Sequence, residues 1–240
     1  MNALDIKTML TLKIAGHSFS ITETVIVSWI VMAILIAASL ALTRKLKVIP
    51  RGPQVILEVM IEFLNKFAKE QFGAFAKYLG PYIGSLCLFL LTANLIGVLS
   101  PFEVSIFGRE FIPPFMMRPP TRDINVTAAL AAISITLVLV CGFAARGAGG
   151  WFKRLFHPLP MMLPFNIMEY GTRLISLSLR LFGNILGAYV LMHLIEGLFP
   201  VAVPMVFSLY FDFFDGAIQA GIFVFLTSLY ISEAVKVHEE

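Results

Sequence analysis

Charge is scarce in this sequence: only 14% of its 240 residues are Asp, Glu, Lys or Arg, while 58% are hydrophobic. The mean hydropathy of +0.87 is more than a water-soluble domain tolerates, which excludes an ordinary soluble enzyme. Cysteine is scarcer still. Cys87 and Cys141 both fall inside apolar runs and read as buried thiols, not as a disulfide or a metal site. The four histidines, at 17, 157, 193 and 238, are scattered over loops, helix and tail. With no clustered nucleophile, base or ligands, an intramembrane enzyme is disfavoured and no metal or cofactor is expected. A net charge of +3 is too small to suggest nucleic acid binding. No internal repeat appears, which weakens a secondary-transporter reading because many such folds are built from inverted repeats. A basic leader with a short apolar stretch and cleavage site is also missing, so no targeting segment is expected to be removed.

What is present is a set of apolar runs near or above the ~18 residues that span a bilayer. They predict an all-α polytopic membrane protein with five crossings: 25–43, 81–99, 124–145, 166–199 and 204–233. Residues 54–78 return apolar side chains at helical spacing between Glu58, Glu62, Lys66, Lys69, Glu70 and Lys77, the pattern of an amphipathic helix lying on the membrane surface. The whole chain reads as one membrane domain. Positive residues orient it. The basic cluster Arg44, Lys45, Lys47 and Arg51 follows the first span and is expected in the cytoplasm, with the N-terminus outside and the C-terminus inside. On that topology twelve of the 18 Lys and Arg fall inside and five outside. Arg180 alone has no aqueous side.

Asn166-x-x-Glu169 has the form of a capping box, so the fourth span is expected to start at Asn166. Spans four and five would be ~50 Å and ~45 Å long at 1.5 Å per residue, against a hydrocarbon core of ~30 Å. Both must tilt steeply, as a slanted hairpin. Arg173, Ser176, Arg180, Asn184 and Gly187 recur every three or four residues and share a face, as do Ser208, Asp212, Asp215 and Gln219. Small residues there could simply let helices pack closely, but that does not account for the ions. A central arginine costs from about 3 to about 15 kcal/mol, which marks Arg180 as functional. Level pairing across the hairpin sets Arg180 beside Gln219, and Tyr189 beside Asp212. No carboxylate of this chain reaches Arg180 on that register, so its partner is expected on another subunit.

The run Ser176-Leu-Ser-Leu-Arg180-Leu-Phe-Gly-Asn184 resembles the signature of the F-type ATP synthase subunit a family, the stator half of an ion-driven rotary motor. Pro120-Thr-Arg-Asp123-Ile-Asn125-Val-Thr, Leu163-Pro-Phe-Asn166 and Gln219-Ala-Gly-Ile-Phe agree, so the resemblance covers nearly the whole chain. It implies a non-catalytic, ion-translocating subunit of a bacterial plasma membrane, with a ring of c subunits and peripheral-stalk b subunits as partners. Arg180 matches the family's essential arginine, and Asn184, Gln219 and Asp123 match polar positions lining its aqueous half-channels. Many relatives have a carboxylate where Tyr189 stands and a histidine where Asp212 stands. The resemblance therefore implies that Asp212, with Asp215 and Glu196, carries the protonatable function of the outer half-channel. An Asp before an apolar helix is also the usual N-cap, and for Asp123 the two roles are compatible. The alternative is an independent ion channel or secondary transporter using Arg180 for selectivity.

Overall fold

The computed structural model describes residues 8–14, 17–44, 46–50, 52–99, 104–106, 109–111, 119–156, 160–198, 203, 206–207 and 209–235. Among these, five stretches are long and apolar enough to cross a membrane. The protein is an all-α polytopic membrane protein in its apolar part, with short β-hairpins at one end.

The chain opens with β1 (Thr8–Ile14) and β2 (His17–Thr22), an antiparallel pair in which Leu12 stands opposite Phe19 and Leu10 opposite Ile21. Helix α1 (Glu23–Thr43) follows directly. Helix α2 (Pro53–Phe72) ends at Gly73, and α3 (Ala76–Leu99) begins after one 3-10 turn. Five charged side chains in α2, Glu58 to Glu70, separate it in character from apolar α3. Strands β3 (Val104–Ile106) and β4 (Arg109–Phe111) form a second hairpin after α3. A 3-10 turn, Pro120–Arg122, leads into α4 (Ile124–Leu155). Helix α5 spans Leu163–Leu198, and a π-helical segment, Leu209–Asp215, runs into α6 (Gly216–Val235).

Two boundaries differ from expectation for local reasons. Helix α3 starts before Pro81 and carries that proline within its second turn. The carbonyl that a proline at 81 cannot bond belongs to Lys77, an exposed residue at the start of the helix. Helix α5 starts at Leu163 instead of Asn166. Pro164 fits the first turn, whose N–H groups have no helical partner in any case, so Asn166 lies inside the helix and does not cap it.

Helix α6 is the centre of the fold. Its buried residues, Gly216, Gln219, Ala220, Phe223, Val224, Thr227 and Ile231 among them, recur at three and four and wrap around the helix. Leu79, Ile83, Leu86 and Leu90 of α3, Ala131, Ile135 and Val138 of α4, and Leu177 and Leu181 of α5 complete the core. Packing follows from this: α6 lies against α3 and α4, α5 lies mainly along α4, and α5 and α6 touch at few points. Helix α1 is held by a small separate cluster, Val27 and Val31 against Ala93 and Ile96.

At the end of α4 the backbone at Gly147 adopts φ 70°, ψ 166°, a region closed to residues with a side chain. The chain turns back there. Trp151 thereby stacks on Phe143 with ring centroids 4.2 Å apart and covers Gly142.

Candidate functional site

Arg180 lies midway along the 36 residues of α5. Buried Leu177 and Leu181 hold this stretch of helix to the core, and Arg180 is exposed beside them. It forms no hydrogen bond or ion pair with any described residue. Ser176, Leu179, Gly183 and Gly187 around it are exposed too. A Cβ built on Gly183 or Gly187 would meet nothing within 4 Å. Close helix packing inside the chain therefore does not account for these glycines. They follow the arginine along an exposed face of α5.

The expected neighbour, Gln219, is only 5% exposed, whereas Arg180 is exposed, and no hydrogen bond joins the two among the described residues.

One turn along α5 from Arg180, Asn184 Nδ2 donates to Asp215 Oδ2 at 2.7 Å. Asp215 is the last residue of the π-helical segment. That segment breaks the single face expected for residues 208, 212, 215 and 219, because a π turn spaces its residues differently from an α turn. The junction is braced from α3. Asn94 Nδ2 donates to the Gly216 carbonyl at 2.9 Å, and Thr121 Oγ1 donates to Asn94 Oδ1 at 2.8 Å. Gly216 fits closely here, since a Cβ would stand 3.2 Å from Cβ of Asn94 and would press on it. The backbones of Asp212 and Glu196 lie in the π segment and in α5; their side chains, and residue 208, lie outside the described residues.

Toward the hairpin end, Arg122 sets its guanidinium carbon 3.7 Å from the ring centroid of Tyr189. The Tyr189 ring also stacks on His193 at 5.0 Å. Next to Arg122, Asp123 is 3% exposed. Its Oδ2 accepts from Thr24 Oγ1 at 2.8 Å, and its Oδ1 accepts from the backbone N of Asn125 at 2.9 Å and from Asn125 Nδ2 at 3.0 Å. The bond to the N2 amide makes Asp123 the N-cap of α4, and the bond to Thr24 ties α1 to it.

At the other end, Arg173 bonds Glu169 one turn earlier and reaches Glu233 of α6 at 2.7 Å. It also lies over the Tyr230 ring at 4.6 Å. Its side chain is 13% exposed, so this arginine is neutralised within the chain. Among the described residues no group of three or more His, Cys, Asp or Glu is arranged to hold a metal ion, and Cys87 and Cys141 are free thiols.

Residues 25–232 match the family model described as the ATP synthase A chain. The chain belongs to that family. A curated relative, "ATP synthase subunit a, sodium ion specific" of Propionigenium modestum, is 34% identical over 222 residues, covering 91% of this chain and 76% of the relative. Membership in the ATP synthase A chain family makes this an ion-translocating stator component of an ATP synthase. In those terms Arg173 and Arg180, on one helix and seven residues apart, differ in kind: the first is satisfied internally and the second is offered outward. Sequence reasoning missed Arg122, Asn94 and Thr121 as members of the site. Only Arg122 carried a signal, as a cation immediately before an apolar helix and next to the Asp123 already singled out. The pairing of Glu169 with Arg173 was also visible, as an i,i+4 spacing.

Proposed function

We propose that Arg180 is the essential charge of the stator, facing a ring of c subunits that each carry a membrane-embedded carboxylate. Two aqueous half-channels, one on each side of Arg180, deliver the coupling ion to the ring and remove it, so an ion crosses only by riding the ring. Asn184, Asp212, Asp215, Tyr189 and Glu196 line the outer half-channel, with Asp123 and Gln219 beside them. The observation that carries this reading is an exposed arginine at mid-helix, without a partner among the described residues, beside glycines that have open space where a Cβ would stand.

A ring carboxylate in lipid is desolvated and holds its proton or ion. Within ~4 Å of a guanidinium it gains ~4 kcal/mol at an effective dielectric near 20, or about three pKa units, enough to release that ion. Arginine suits the role because its guanidinium stays charged and presents a rigid fork of donors. The basic residues put the N-terminal hairpin outside a bacterial plasma membrane and the C-terminus in the cytoplasm. Helix α2 lies on the cytoplasmic surface, where Glu58 and Glu62 are within reach of peripheral-stalk b subunits.

Arg180→Ala in inverted membrane vesicles tests the reading. ATP-driven ion uptake is expected to vanish while the complex still assembles; normal uptake would overturn it.

A further inference from the structure

We propose that Asp215, held by Asn184, is the carboxylate that exchanges the coupling ion directly with the ring. The inference rests on the stator reading above and assigns one residue within it. Asn184 follows Arg180 by one turn on the same face of α5, a rise of ~6 Å, and its amide grips the Asp215 carboxylate at 2.7 Å. Farther along α5, at Tyr189, the position is filled by an aromatic ring with the Arg122 guanidinium on it. Among the described side chains, Asp215 is therefore the first carboxylate met from Arg180 toward the hairpin end.

Its setting suits transfer better than fastening. One oxygen of the carboxylate takes the Asn184 bond, and the other bonds no described residue and is left for the ion. The residue is half-buried, so part of it stays open to an approaching ion. The backbone beneath it is fixed by Asn94 on the Gly216 carbonyl, so the side chain is presented at a constant place. The ion is a monovalent cation, a proton or Na+. For a proton the step is simple: Asp215 gives its proton to a ring carboxylate leaving Arg180, becomes an anion, and is reprotonated from the aqueous side. For Na+ the same oxygens coordinate the metal and release it. No electrons move.

Two substitutions in the complete ATP synthase separate this role from a structural one. Asp215→Asn keeps an oxygen for the Asn184 amide but carries no ion; Asp215→Glu keeps the carboxylate and disturbs the bond. With uptake followed both by a pH-sensitive dye and by 22Na+, Asp215→Asn is expected to lose at least tenfold and Asp215→Glu to retain more. The signal that falls identifies the ion. Equal loss in both variants, the reverse order, or normal uptake by Asp215→Asn would overturn the proposal. Should Asp215→Asn fail to assemble, Asp215→Ser replaces it, with a hydroxyl to hold Asn184. Arg180→Ala in parallel keeps the two readings apart. If it pumps, the stator assignment fails; if it is dead while Asp215→Asn pumps, only this inference falls.

Discussion

Arg122 and Tyr189, 67 positions apart in the chain, are joined by a guanidinium lying 3.7 Å from the centroid of an aromatic ring. The contact bridges the entry of α4 to the C-terminal third of α5, and a cation on a tyrosine face is worth about 0.5 to 2 kcal/mol depending on its desolvation. Arg122→Gln and Tyr189→Leu should each lower the melting temperature of the purified complex. Their combination should cost less than the sum, with a coupling in that same range. Strict additivity in the double-mutant cycle would show that the two side chains stabilise the fold independently.

Asp123 accepts three hydrogen bonds while almost wholly buried, so removing it leaves the Thr24 hydroxyl only its bond with Thr22 and uncaps α4. Asp123→Ala should cost about 2 to 4 kcal/mol, from a lost cap together with a lost buried hydrogen bond to a charged group. The protein should accumulate poorly in membranes. Asp123→Asn keeps a cap oxygen and should accumulate nearly normally. Quantifying the two variants by immunoblot checks the ranking, and ion uptake by the Asn variant then separates capping from ion conduction. Full uptake would assign Asp123 to capping alone.

Gly216→Ala places a methyl group 3.2 Å from Cβ of Asn94, in a wall where both backbones are tied down. Overpacking of this kind costs about 1 to 3 kcal/mol. Because Gly216 adjoins Asp215, the variant is expected to reduce ion uptake several-fold as well as stability. Gly221→Ala, with open space at its Cβ, is the control and should change stability little. Equal behaviour of the two would show that the α3 to α6 contact is looser than described.

The parts legible in the sequence were those set by solvent. Runs of apolar residues mark the crossings because hydrocarbon admits little else, and Arg180 stands out because hydrocarbon admits it least. The N-terminal hairpin was legible and overlooked: Leu10, Leu12 and Ile14 alternate with polar residues, as do Phe19 and Ile21, at the period of a strand. Other features depend on distant partners. Nothing near Asp215 announces a π turn, whose brace, Asn94, comes from 122 positions away. Nor do consecutive helices have to be the most intimate neighbours. The register of a simple hairpin sets Gln219 level with Arg180 but does not tell that Gln219 is buried and Arg180 exposed.

The exposed face beside Arg180 has a mechanical consequence. Helices that interlock do so by pushing side chains into one another's hollows, and a partner held that way must climb out of each hollow to move. Gly183 and Gly187, with open space where their side chains would be, give a neighbour nothing to catch on at those two positions. On the proposed reading, a ring passing over them meets no side chain there and comes next to the charge of Arg180.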